Sequence, residues 1–260
     1  MGIFALHDVR YIDDSKKSWK YCLSLKTLMI RFSSWIGALT AKALVTVSEF
    51  SKREIIEKYN IRPDKISVCY NAWQHFATSE KPDESIFSRF PQIKKHEYYF
   101  MLGGMEDNKN IKWTVMMAKK YPERMFVFSG PSAINAIFDA DTGIEKMSNC
   151  VHVGYVSDGE LKALMGNCRA FLFPSKYEGF GIPPMEAMSC GAKVLMSNST
   201  CLPEVYKEYV SYFDPDDYSV DLDALEAQKH PDAKFLLAQY SWDKTASQIR
   251  ELIHKYSGLL

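Results

Sequence analysis

Five consecutive residues, Ala170-Phe-Leu-Phe-Pro174, carry apolar side chains without polar alternation and end in proline. Such a run fits a strand covered on both faces, the condition of a parallel sheet sandwiched between helices. Gly179 and Gly181 follow. Neither has a Cβ, so the backbone there can turn sharply and let a ligand come close. Pro183 or Pro184 then sets φ for a helix through Met185, Glu186, Ala187 and Met188, whose unpaired N–H groups and positive dipole end would face the turn.

A phosphate or diphosphate suits that place. Glu178 precedes the turn and Glu186 lies about one helical turn beyond it. Carboxylates only accept hydrogen bonds, so this pair suits the hydroxyls of a sugar or ribose rather than a phosphate. Glycine turns between strand and helix also occur in α/β proteins as plain turn chemistry. Two acids bracketing a helix start repel each other and an anion unless something binds between them, and that favours a sugar nucleotide.

The same alternation of strand and helix runs through the chain. Strands are expected near Met1–Leu6, Ala43–Val47 and Ile66–Tyr70, with Ser51-Lys-Arg-Glu54 as a capping box for a helix to Tyr59. A second series is expected near Tyr98–Leu102, Met125–Ser129, Val151–Val153, Ala170–Pro174, Lys193–Met196 and Val210–Phe213. That series describes an α/β fold with a doubly wound parallel sheet. The polar stretch Ser79-Glu-Lys-Pro-Asp-Glu-Ser85 marks a boundary, giving domains at 1–75 and 76–240 and a last helix at 241–260 that begins at Ser241-Trp-Asp-Lys. Trp19, Cys22, Leu25, Met29, Phe32, Ile36 and Leu39 fall at helical spacing. They are expected to pack on a sheet, with Lys16, Lys17, Lys20, Lys26 and Arg31 on a solvated face; the alternative is an anionic membrane surface.

Charge and cysteine usage narrow the partners. The 32 basic and 32 acidic residues cancel, so no global field recruits nucleic acid or an anionic membrane. The six cysteines include no C-x-x-C pair, which reads as reduced thiols in a cytoplasmic protein without a zinc site. No run approaches the ~18 apolar residues of a membrane span, so any membrane contact is expected to be peripheral.

Glu178-Gly-Phe-Gly-Ile-Pro-Pro-Met-Glu186 resembles the E-x7-E motif of the retaining GT-B glycosyltransferases, the family of glycosyl transferases group 1 that holds bacterial mannosyl-, glucosyl- and rhamnosyltransferases. Val45 to Ile55, Val68-Cys-Tyr-Asn-Ala72, Lys109-Asn110, Gly154 to Leu161 and Leu202-Pro-Glu-Val205 stand in the order such enzymes show. The resemblance implies a Rossmann-like carboxyl-terminal domain that binds a nucleoside diphosphate sugar, and a truncated amino-terminal Rossmann-like domain on the acceptor side. It implies transfer of a hexosyl unit, with retention, to a glycan or lipid-linked acceptor in cell-surface polysaccharide assembly. No cofactor or metal is expected.

By this resemblance Glu178 holds sugar hydroxyls and Glu186 the ribose, while Gly179, Phe180, Gly181 and Ile182 line the turn. Lys109 neutralises the departing diphosphate, although a lone lysine would otherwise read as a solvated surface charge. Gly103, Gly104 and Asn110 surround it, and many family members carry an Arg where Gly104 stands. His7 resembles the family's cleft histidine, and Ser129, Pro131 and Tyr155 line the diphosphate and base pockets. Glu204 reads as a helix-start acid instead.

The family's amino-terminal domain also normally includes a stretch before the His7-Asp8 pair that supplies a glycine-rich loop and most of the acceptor site. Its absence here leaves open a non-catalytic or split donor-binding half completed by a second polypeptide. A sugar-nucleotide epimerase on the same fold is the other alternative.

Overall fold

The computed structural model describes residues 2–7, 25–103, 107–130 and 147–257. Asp8, the lysines and aromatics of 8–24, Gly104 and Pro131 therefore lie outside the described residues, as does the Lys26 side chain. The chain forms two compact units: Met1–Ala72 with Glu178–Phe180 and Tyr240–Leu260, and Trp73–Tyr177 with Gly181–Gln239.

In the first unit, β1 (Ile3–Ala5), β2 (Ala43–Thr46) and β3 (Ile66–Val68) make a parallel sheet in the order β1-β2-β3. Leu6, Leu44, Ile55, Tyr59, Ile61 and Ile66 pack together beside it. The helix Glu49–Tyr59 starts one turn earlier than its sequence suggests. Ser48, in an extended conformation, is the N-cap, and the Ser51 N–H donates to its hydroxyl at 3.0 Å. Ser51 is thus the capped residue rather than the cap. The helix ends at Asn60, which takes the left-handed conformation that asparagine tolerates better than most residues. The last helix, Trp242–Ser257, joins this unit where Thr245 Oγ1 donates to the Tyr70 carbonyl at 2.5 Å.

The helix Leu25–Thr40 departs from expectation. Ala38 is buried, and Gly37 sits so close to the Phe4 ring that a Cβ there would stand 2.7 Å from it. The described part of the stripe meant for the core faces outward instead: Leu25, Met29, Phe32, Ile36 and Leu39 are exposed, and so are Leu28 and Trp35 beside them. The helix is apolar on two sides, and the small residues, not the large ones, take the inner side because only they let the helix approach Phe4.

In the second unit, β4 (Tyr98–Leu102), β5 (Met125–Ser129), β6 (Cys150–Gly154), β7 (Ala170–Phe173), β8 (Val194–Ser197) and β9 (Ser211–Phe213) pair in parallel. Their order is β6-β5-β4-β7-β8-β9. Winding runs outward from β4 through β6, then restarts on its other side at β7. The reversal leaves a crevice beyond the carboxyl ends of β4 and β7, where open α/β sheets bind ligands. The register Tyr99↔Ala170 and Phe100↔Phe171 brings Leu102 level with Phe173, so the loops that follow start side by side.

One face of this sheet is packed by Trp113 from the helix Ile111–Lys120, which stacks on Phe213 at 4.0 Å between ring centroids with 10° between planes. Both rings lie in a buried cluster with Tyr99, Phe126, Leu172 and Leu195. Phe213→Ala removes a ring whose partner cannot collapse into the gap. The expected loss is about 3–5 kcal/mol of unfolding free energy by urea denaturation.

Candidate functional site

The loops after β4 and β7 are tied together at the crevice by main-chain and amide bonds. The Lys176 N–H donates to the Asn108 carbonyl at 2.7 Å, and Ser175 Oγ donates to the same oxygen at 3.0 Å. Asn108 Nδ2 donates in return to the Tyr177 carbonyl at 2.9 Å. Beside them Asn110, left-handed at φ 52, uses both hydrogens of one buried amide nitrogen. Nδ2 donates to the Pro174 carbonyl at 3.1 Å and to the Pro215 carbonyl at 2.9 Å. Asn110, expected from sequence to contact the donor, braces the crevice: it joins the loops after β4, β7 and β9.

Lys109 ends the short turn Asp107–Lys109 next to this brace, and its ammonium lies 5.6 Å from the centroid of the Phe173 ring. Cation–π attraction at that range holds the charge near the end of β7. Gly103 is at the root of the same loop, where its N–H donates to the Ser129 carbonyl at 2.7 Å. Ser129 itself is buried, with Oγ donating to the Gly154 carbonyl at 3.2 Å. Tyr155, one residue beyond, is 87% exposed.

On the β7 side, the helix Ile182–Ser189 begins after Gly181, whose φ of 80° falls in the region that favours glycine. Ile182 is the first helical residue and the prolines come second and third, a correction to the sequence reading. Four amides are normally unpaired at a helix start. Two are absent here, because Pro183 and Pro184 have no N–H. The Met185 N–H, which would ordinarily make the first bond within the helix to the Gly181 carbonyl, donates instead to the buried Tyr206 hydroxyl at 3.2 Å. The helix end is thus a sparser anion site than its dipole suggests, with the N–H groups of Gly181 and Ile182 left of the four.

Glu186 is largely buried, its side chain 12% exposed, with Oε1 3.2 Å from His75 Nε2. Burial pushes its carboxyl above the usual range; His75 opposes that rise and the charge of Asp158 adds to it. A raised folded value means that the fold prefers the protonated acid. Stability from this group is greatest below the ordinary carboxylate value and falls as pH rises through the folded one.

Glu178–Phe180 groups with the first unit. Ser51 Oγ donates to the Gly179 carbonyl at 3.4 Å. The Phe180 ring is buried, 6.2 Å from Tyr70 and 5.6 Å from Tyr240 between centroids, so it packs as core. Glu178 is half-buried, and His7, just after β1, is exposed. Sequence reasoning missed Asn108, Ser175, His75 and Tyr206. Of these only Asn108 carried a signal, through its place beside Lys109.

Among the described residues no group of three or more His, Cys, Asp or Glu side chains has the arrangement to hold a metal ion. No helix of the described residues is long and apolar enough to cross a membrane.

The family model described as glycosyl transferases group 1 matches residues 83–257. The chain belongs to this family. It is 32% identical over 203 residues to O-antigen chain mannosyltransferase B of Escherichia coli, covering 72% of this chain and 50% of that protein. It is 28% identical over 255 residues to O-antigen chain mannosyltransferase RfbU of Salmonella typhimurium, covering 94% and 67%. The chain thus spans about half the length of the Escherichia coli relative. Among solved structures, Anabaena HepE in complex with UDP and glucose aligns with a TM-score of 0.74 at 17% identity, over 97% of this chain and 71% of that one. The glycosyltransferase family and the two parallel sheets together make this a GT-B fold.

Two variants separate brace from ligand contact. Asn110→Ala loses two buried hydrogen bonds and forces alanine left-handed, and should cost about 2–4 kcal/mol in urea unfolding. Asn110→Gly, free of the backbone penalty, should lose less. Glu186→Gln replaces a buried charge by a neutral amide of the same shape. Its thermal midpoint should exceed that of the wild type at pH 8 and the gap should close towards pH 4, read by calorimetry across that range.

Proposed function

We propose that this glycosyl transferases group 1 protein moves a hexosyl unit from a nucleoside diphosphate sugar to a hydroxyl of a glycan or lipid-linked acceptor, with retention, in cell-surface polysaccharide assembly. The observation that carries the reading is Lys109, whose ammonium lies 5.6 Å from the Phe173 ring centroid at the carboxyl end of β7, the strand that leads through the glycine turn into the helix Ile182–Ser189. The names of the two mannosyltransferase relatives make mannose the first hexose to test.

In this reading the donor's diphosphate lies at Lys109 and the Ile182 N–H, and the ammonium offsets the charge that builds on the leaving group. Glu186 accepts from the ribose hydroxyls and Glu178 from those of the sugar, with His7 near the transferred unit. No side chain is assigned as a covalent nucleophile. Departure and attack take place on the same sugar face in one ion-pair-like step, and no metal takes part. We place the protein in the cytoplasm, at most peripheral to the membrane; the five described cysteines are free thiols, as that compartment requires.

A second reading, a donor-binding half completed by another polypeptide, is favoured by the outward apolar face of the helix Leu25–Thr40. Contiguous exposed stripes of that size mark interaction surfaces.

Incubation with a nucleoside diphosphate mannose and a mannan or lipid-linked acceptor should release free nucleoside diphosphate, with the new bond in the donor's anomeric configuration by NMR. Glu178→Gln should lower that release about a hundredfold or more with the thermal midpoint unchanged. Unchanged turnover would remove the role given to Glu178. Binding without turnover until a second polypeptide is supplied would select the split reading, and interconversion of donor sugars without release would select an epimerase.

A further inference from the structure

The Tyr206 hydroxyl reaches into the glycine turn from the short helix Leu202–Tyr206. It makes two bonds there. It donates to the Gly181 carbonyl and accepts from the Met185 N–H at 3.2 Å. The ring is fully buried, so neither bond competes with water. A phenol is used fully when it donates once and accepts once, and here both partners belong to the same turn of backbone.

The consequence concerns the peptide between Gly181 and Ile182. The described peptide bonds are all trans, and in a trans peptide the C=O and N–H vectors point in opposite directions. Fixing the Gly181 carbonyl towards the buried phenol therefore turns the Ile182 N–H the other way. The same hydroxyl takes up the Met185 amide, and the prolines between contribute none. One side chain thus stands between the Gly181 carbonyl and the Met185 amide and sets where the Ile182 amide points. Without it, Gly181, the residue type least restricted in φ and ψ, would leave that peptide plane free to rotate.

We infer that Tyr206 is a positioning residue for the donor's diphosphate: it acts through the Gly181–Ile182 peptide to aim the Ile182 amide at a phosphate oxygen. This rests on the donor-binding reading given above. It predicts a contribution specific to the phosphate portion of the ligand, since the Tyr206 hydroxyl is engaged at the Gly181 carbonyl and the Met185 amide.

Tyr206→Phe keeps the ring and deletes only the hydroxyl. Its test is titration calorimetry of the 260-residue chain with UDP, GDP, ADP and TDP and with the matching free nucleosides, alongside thermal unfolding. For the diphosphate that binds the wild type best, the variant should lose about tenfold in affinity, while affinity for its nucleoside stays the same. A merely structural role would weaken both ligands together, and that result overturns the inference. Equal diphosphate affinity in the two proteins overturns it as well.

Wild-type protein that binds no nucleoside diphosphate sinks the donor-binding reading itself, and the role of Tyr206 falls with it. Should the variant fail to fold, wild-type protein labelled with 15N-isoleucine decides the matter. The Ile182 amide resonance should move when the diphosphate is added and stay in place when the nucleoside is added. An unmoved resonance at saturating diphosphate contradicts the inference.

Discussion

The carboxyl end of the second sheet is held by one buried carboxamide. Asn110 Nδ2 binds the carbonyls of Pro174 and Pro215, so the loops after three strands share a single anchor. Those carbonyls are buried beside prolines, which cannot supply donors of their own, and an unmet buried carbonyl costs more than a made bond returns. The arrangement also explains the left-handed backbone at 110: asparagine tolerates that conformation and brings the amide with it. Lys109, one residue earlier, takes its position from this anchor.

Around the anchor one acid is held against the stability of the fold, and the helix end is stripped of two donors. Glu186 is a carboxylate largely removed from water, and His75 offsets that cost only in part. Pro183 and Pro184 delete two donors from the helix end that would otherwise welcome an anion. The buried acid works against the fold, whereas proline in the first helical turn costs it little, because the missing amides have no helical partner. Both make sense where a ligand supplies hydroxyls to the acid and needs one amide in one direction rather than a general attraction for anions.

Much of the fold was legible because its strands are buried on both faces. Runs such as Tyr98–Leu102 and Ala170–Phe173 show no alternation, and their shortness and flanking proline or glycine fit a covered parallel strand rather than a buried helix. The E-x7-E segment was legible for a different reason: turn, proline and acids sit within one short stretch of sequence. What sequence did not reveal depends on pairing between distant residues or on choice between equivalent faces. Nothing near His75 announces Glu186, and nothing near Tyr206 announces Gly181. Ser48 and Ser51 both suit an N-cap, and only the start of the helix separates them. In Leu25–Thr40 the large apolar stripe looked like the inner face, yet the close approach of Gly37 to Phe4 turned it outward. Phe180, placed by its motif at the ligand, packs between Tyr70 and Tyr240.

The central claim is that the donor's diphosphate lies between the Lys109 ammonium and the Ile182 amide, at the crevice between β4 and β7. A crystal structure of the chain with its tightest-binding nucleoside diphosphate tests it most directly. The account predicts phosphate oxygens within hydrogen-bond distance of Lys109 Nζ and Ile182 N, with the ribose hydroxyls on Glu186. Diphosphate bound elsewhere on the molecule, with Lys109 and the Ile182 amide untouched, would contradict it.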